Sequence, residues 1–241
     1  MIERLKKEIE KLKRRKNVLA IFLAGSFARN EAHPFSDIDL YVLVKRGVKK
    51  RLSDPWDLFR ITFLTEKELK KRFWQRDWIF SRCLILSSKI FYDPEGILRR
   101  LKKEAKKYPE AIRQFELRAN VLHAKYQLSR AEFAFKKKDF PSAIYFLIKC
   151  AEEILFFFYV LNKIYLSSER KIFEDRKKIK IKPKNFEKRL IEGACLNLSP
   201  TKIKEGIKKL HSLIGDLENF YQKEEKNWRK EYLTQLKEMI Q

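Results

Sequence analysis

No stretch of this chain is long and apolar enough to cross a bilayer. The longest apolar runs, Val18–Ala24 and Ile154–Leu161, fall well short of the ~20 residues a spanning helix needs. The opening MIERLKKEIEKLKRRK is too charged for the apolar core of a signal peptide. A soluble, cytoplasmic protein with no membrane partner is expected. Cysteine is scarce. Cys83, Cys150 and Cys195 lie far apart without a CxxC pair, which argues against a disulfide framework or a zinc site. Acidic residues are outnumbered, 32 against 56 Lys and Arg, for a net charge of +24. That balance favours nucleotides, nucleic acid or an anionic surface. The basic residues are spread along the whole chain, however, as they also are on lysine- and glutamate-rich proteins from hot environments. Charge alone raises RNA as a partner and does not decide it.

What is present is enough for a folded core: 241 residues, 44% hydrophobic and 13% aromatic. Ile2, Leu5, Ile9 and Leu12 recur at helical spacing. Val18–Ala24 is a buried-strand run stopped by Gly25. From Asp37 to Val44 the chain alternates: Ile38, Leu40, Val42 and Val44 share one face, Asp37, Asp39, Tyr41 and Leu43 the other. Phe59, Ile61 and Phe63 form a third strand, ending at the capping box Thr65-Glu66-Lys67-Glu68. Ile85–Tyr92 is a candidate fourth strand, closed by the turn Asp93-Pro94-Glu95-Gly96. Beyond Gly96 the period becomes helical. Leu117–Phe135 is one helix. Asp139 caps another with Pro141 in its first turn. Ser199-Pro200 opens a third pattern, and Trp228–Ile240 ends the chain as helix. The expected architecture is α+β: a mixed-sheet domain over residues 1–100, then an all-helical bundle over residues 108–241.

The chemistry concentrates in Gly25-Ser26-Phe27-Ala28-Arg29 and, after a short loop, Ser36-Asp37-Ile38-Asp39. A strand that ends in Gly-Ser and enters a helix offers backbone N–H groups to phosphate, and Ser26 could cap that helix. Asp37 and Asp39, two apart on a strand, leave the same face. Two such carboxylates repel unless a cation sits between them, and magnesium, which favours carboxylates plus substrate phosphates, is the natural one.

The stretch GSFARNEAHPFSDIDLYVLV resembles the signature of the DNA polymerase β superfamily of nucleotidyltransferases. The resemblance implies attack of an acceptor hydroxyl on the α-phosphate of a nucleoside triphosphate, with Mg2+ or Mn2+ and release of pyrophosphate. It assigns Asp37 and Asp39 to metal and catalysis, and Gly25, Ser26, Arg29 and Ser36 to the nucleotide. Two positions depart from the family pattern. Asn30 stands where glycine is usual, although Asn tolerates a left-handed backbone. Arg60 stands where relatives carry a third carboxylate, and Asp57 is the nearest substitute. A guanidinium there implies a site that binds nucleotide but transfers weakly, or a nucleotide- or partner-binding module associated with RNA.

Lys89–Gly96 is similar to the strand and turn closing minimal nucleotidyltransferase domains. Ala151-Glu152-Glu153 with Tyr159–Tyr165 resembles the helical domain of kanamycin-type nucleotidyltransferases. Glu152 and Glu153 interrupt an otherwise apolar helix, and Glu153 is the candidate general base toward an acceptor in a cleft between domains. Phe156-Phe157-Phe158-Tyr159 is either core or a contact surface for a homodimer through the helical domain. His33 lies in the loop before the aspartates, within possible reach of phosphate. Arg118 and His123 have the Arg-x4-His spacing of the HEPN ribonuclease motif, but earlier in the chain than that family places it.

Overall fold

The computed structural model describes residues 2–46, 58–73, 78–168, 171–194 and 196–240. Two units divide the chain: Met1–Tyr108 with Tyr165–Ser168, and Pro109–Ile164 with Glu169–Gln241.

The first unit holds α1 (Ile2–Lys13), β1 (Val18–Ala24), the single turn α2 (Gly25–Ala28), β2 (Ile38–Val44) and β3 (Phe59–Leu64). These are followed by α3 (Glu66–Arg72), α4 (Trp78–Leu86), β4 (Lys89–Tyr92) and α5 (Ile97–Lys106). Its sheet is mixed, in the order β3-β2-β1-β4, with β2 and β3 parallel and the other pairs antiparallel. Alternation along the strands gives the sheet two apolar faces. Leu5, Ile9 and Leu12 of α1 cover the face carrying Ile38, Leu40, Val42 and Val44. The other face, with Ala20, Phe22 and Leu43, packs against Leu69, Phe73, Ile85, Leu98 and Leu101. A register shift between Val18 and Ala20 lets Val18 and Ile21 both face α1 despite their odd spacing.

The alternation and capping signals locate these elements closely. Thr65 Oγ1 accepts from Glu68 N while the Glu68 carboxylate accepts from Thr65 N, closing the capping box of α3. The fourth strand is shorter than expected, since Ile85 and Leu86 belong to α4 and only Lys89–Tyr92 pairs with β1. A short apolar run does not distinguish a buried helix end from a strand. Buried Arg82 sits over the Phe73 ring and donates to the Glu104, Ala105 and Lys107 carbonyls, finishing α5. Tyr165 returns to this unit, its ring 4.9 Å from that of Tyr108 and its hydroxyl donating to Ala105 O.

The second unit is a helical bundle of α6 (Glu110–Lys136), α7 (Phe140–Leu161), α8 (Phe186–Ala194) and α9 (Pro200–Ile240). Asp139 caps α7 by accepting from Ser142 N, as its sequence suggests. Phe157, Phe158 and Tyr159 are fully buried. Phe158 meets the Phe186 and Phe220 rings edge to face, and the Tyr159 hydroxyl donates to Ile172 O. This aromatic run is core. No helix among the described residues is long and apolar enough to cross a membrane.

Candidate active site

Asp39 is placed by pairing. β1 and β2 run antiparallel with Ala24 opposite Asp39, which sets the Asp39 carboxylate above the start of α2. Gly25, the next residue, has φ +70°, and a Cβ there would lie 2.8 Å from Asp39 Oδ2. Glycine is required twice over, for the left-handed backbone and for the closeness of the carboxylate. Ser26 lies inside α2 and caps nothing: Ala24 is the N-cap residue and supplies no side-chain bond. Asn30 takes the left-handed conformation, φ 58°, as its residue type allows, and its Oδ1 accepts from Lys89 Nζ at 2.6 Å.

On β3, the parallel register sets Arg60 opposite Asp39, Thr62 opposite Tyr41 and Leu64 opposite Leu43. Arg60 therefore emerges on the face that carries Asp39, and its Nη1 lies 3.0 Å from Asp37 Oδ2. Asp39 is half-buried, and its carboxyl is pushed up to about 6. Burial is the largest cause, the nearby Asp37 carboxylate adds to it, and Arg60 partly offsets both. Tyr41, next along the face and stacked on Phe22, is also raised, first by burial and then by Asp39.

The remaining expected residues have local partners. Arg29 Nε donates to Glu31 at 2.8 Å. Ser36 Oγ accepts from His33 N, and Ser36 N donates to His33 O, so this serine ties the loop before β2. Asp57 lies outside the described residues. In the helical unit Glu152 pairs with Lys149 at 2.6 Å, and Glu153 Oε2 lies 3.7 Å from His123 Nδ1. Arg118 and His123 are both exposed on α6. Among the described residues, no group of three or more Asp, Glu, His or Cys could hold a metal.

A turn that exposes backbone, two adjacent carboxylates above it and an arginine across from them form one patch at the end of the sheet. Residues 2–120 match the family model described as a nucleotidyltransferase domain. The first unit is a nucleotidyltransferase-like domain. The model of a domain of unknown function, DUF4037, matches residues 82–171, overlapping the end of the nucleotidyltransferase-like domain and entering the helical unit. Among solved structures, a nucleotidyltransferase-like protein from Exiguobacterium sibiricum has the same fold, with TM-score 0.59 and 13% identity. That match covers 93% of this chain and 78% of the other. No curated protein matches the chain. Two features of the nucleotidyltransferase-like domain escaped the sequence. The buried Arg82 had no signal, because a basic residue in a helix is normally solvated. The Asp37–Arg60 pair could be anticipated only by aligning two strands.

Proposed function

We propose that the protein transfers a nucleoside monophosphate from a nucleoside triphosphate to an acceptor hydroxyl. The hydroxyl oxygen forms a bond to the α-phosphorus, the bond to the β-phosphate oxygen breaks, and pyrophosphate leaves. The observation that carries this reading is the closeness of Asp39 to Gly25. It brings a carboxylate and a side-chain-free backbone turn together, inside a domain matching the nucleotidyltransferase model.

The donor set suits one divalent cation, Mg2+ or Mn2+, held by Asp37 and Asp39 and completed by phosphate oxygens. When bound, it would neutralise charge on the triphosphate and polarise the reacting phosphoryl group. Asp39's raised carboxyl shows that this spot disfavours uncompensated negative charge. The chain itself would contribute the Gly25-Ser26 turn toward the phosphates. The acceptor's proton would pass to a general base. The acceptor hydroxyl belongs to a small molecule, a protein or an RNA end.

A second reading rests on the Asp37–Arg60 ion pair. A permanently charged guanidinium beside the carboxylates competes with the cation and pairs well with phosphate. It would leave a site that retains nucleotide yet turns it over slowly.

Calorimetry with each nucleoside triphosphate, with and without magnesium, tests both readings alongside a pyrophosphate-release assay. Magnesium-dependent binding that Asp39→Ala abolishes, without loss of thermal stability, supports a nucleotide site. Pyrophosphate release then separates enzyme from binding module. Binding indifferent to magnesium and to Asp39→Ala would remove the proposal.

A further inference from the structure

The long helix α6 has two apolar faces, and its own bundle uses one. Leu117, Val121, Ala124, Leu128 and Ala131 are buried. On the opposite side Phe115 is 69% exposed, Leu122 55%, Tyr126 59% and Phe133 64%. Their spacings of seven, four and seven residues place them on one stripe. Large apolar side chains gathered in this way, unlike scattered ones, mark a contact surface.

The stripe is a palindrome centred on Ala124. Phe115 and Phe133 stand nine residues to either side, Ala119 and Ser129 five, Leu122 and Tyr126 two. Laid antiparallel on a copy of itself, the helix sets Phe115 against Phe133, small Ala119 against small Ser129, and Leu122 against Tyr126. Each contact is then made twice, as a two-fold interface requires. The small pairs let the backbones approach. Exposed Arg118 and half-buried Glu132 lie on the same flank and come within two residues of the same level across the axis, with opposite charge. Lys125, near the axis, is already paired within its own chain to Glu218.

A groove beside the stripe fits the same partner. It has a volume of about 540 Å³ between α6 and α7, lined by Ser129, Arg130, Phe133, Lys137 and Phe146 among others. The Arg130 guanidinium lies 4.0 Å over the Phe146 ring, a wall on which another aromatic ring can stack. The groove sits at the level that Phe115 of an antiparallel copy occupies.

We propose that the protein associates with a second copy of itself through this stripe, α6 antiparallel to α6, with each Phe115 seated in the other copy's groove. From Phe115 to Phe133 the stripe runs over nineteen residues, or about 27 Å of helix between its ends. Tyr145 on α7, exposed and with its ring 5.2 Å from that of Phe146 in the groove wall, adds apolar surface beside the groove. An interface of this extent gives a reversible dimer rather than an obligate one. The inference does not depend on the nucleotidyl-transfer reading.

Sedimentation velocity on the full chain over a concentration series tests it. Wild type should show a monomer–dimer equilibrium, and Leu122→Glu and Phe115→Ser should each weaken it at least tenfold. Both side chains are exposed, so circular dichroism, and thermal unfolding at concentrations where wild type is monomeric, should be unchanged. Orientation is read by mixing chains carrying Ala119→Cys with chains carrying Ser129→Cys and adding a short bis-maleimide. The mixed pair should cross-link faster than either alone, against a background of protein with neither change. A wild type that stays monomeric overturns the proposal, as does a dimer indifferent to both substitutions or cross-linking of like with like. A monomer that instead binds RNA through this face also overturns it.

Discussion

Arg60 Nη1 lies 3.0 Å from Asp37 Oδ2 and, on the neighbouring parallel strand, Arg60 stands opposite Asp39. One guanidinium therefore serves two carboxylates that would otherwise repel. Both partners in the ion pair are partly exposed, so it should contribute only ~0–1 kcal/mol to stability. Its effect belongs to the chemistry. Replacing Arg60 with Asp should leave the melting temperature nearly unchanged and raise magnesium-dependent pyrophosphate release by tenfold or more, since a third carboxylate replaces a competing cation. Slower release in Arg60→Asp than in wild type would show that Arg60 assists transfer, and attention would pass to Asp57.

Gly25→Ala should damage the site more than the fold. A left-handed alanine costs roughly 1–2 kcal/mol, and its Cβ would meet Asp39 Oδ2 at 2.8 Å. Triphosphate affinity should drop while the sheet persists by circular dichroism. Adding Asp39→Gly removes the collision but not the backbone strain, so the double variant should recover part of the lost stability and none of the binding. Additive stability losses in the double-mutant cycle would mean that the two groups do not touch.

The pH dependence follows from Asp39, whose carboxyl moves from 3.8 to about 6 on folding. Between those values the folded protein keeps a proton that the unfolded chain has released. This group's contribution to stability is therefore largest below 3.8, declines as pH rises to about 6, and is flat above it. Cation affinity should run the opposite way, rising through pH 6 as the proton leaves. Asp37→Asn should lower the Asp39 midpoint and Arg60→Gln should raise it, each read by carboxyl-carbon NMR titration. A midpoint unmoved by either change would break the assigned coupling.

Arg82 should prove structural. It is 1% exposed and supplies donors to three carbonyls at the end of α5. Arg82→Ala leaves those carbonyls without that donor and opens a cavity beside Phe73. A loss of roughly 3 kcal/mol or more is expected in urea unfolding, with the helical unit's secondary structure retained. A loss below ~1 kcal/mol would show that water replaces the guanidinium freely.

Much of the nucleotidyltransferase-like domain was legible because its signals are local. Strict alternation from Asp37 to Val44 fixed which residues share a face, and Thr65 with Glu68 fixed where α3 begins. Asn30 announced a left-handed turn by residue type alone. The end of α4 was not legible, since Ile85 and Leu86 are apolar in either conformation and only pairing with β1 decides between them. Arg29 and Ser36 carried no sign that Glu31 and His33 would engage them.

The sequence by itself determined what depends on near neighbours: period, caps, the glycine turn, and the placing of two aspartates on one side of a strand. The tertiary structure decided what depends on partners distant in sequence. Parallel pairing of β2 with β3 aimed Arg60 at Asp37, and antiparallel pairing of β1 with β2 set Asp39 over Gly25. Packing of the bundle determined which face of α6 was used and left the palindromic stripe in solvent. Local periodicity says that a helix has apolar faces, but only the positions of the other helices say which of them is covered.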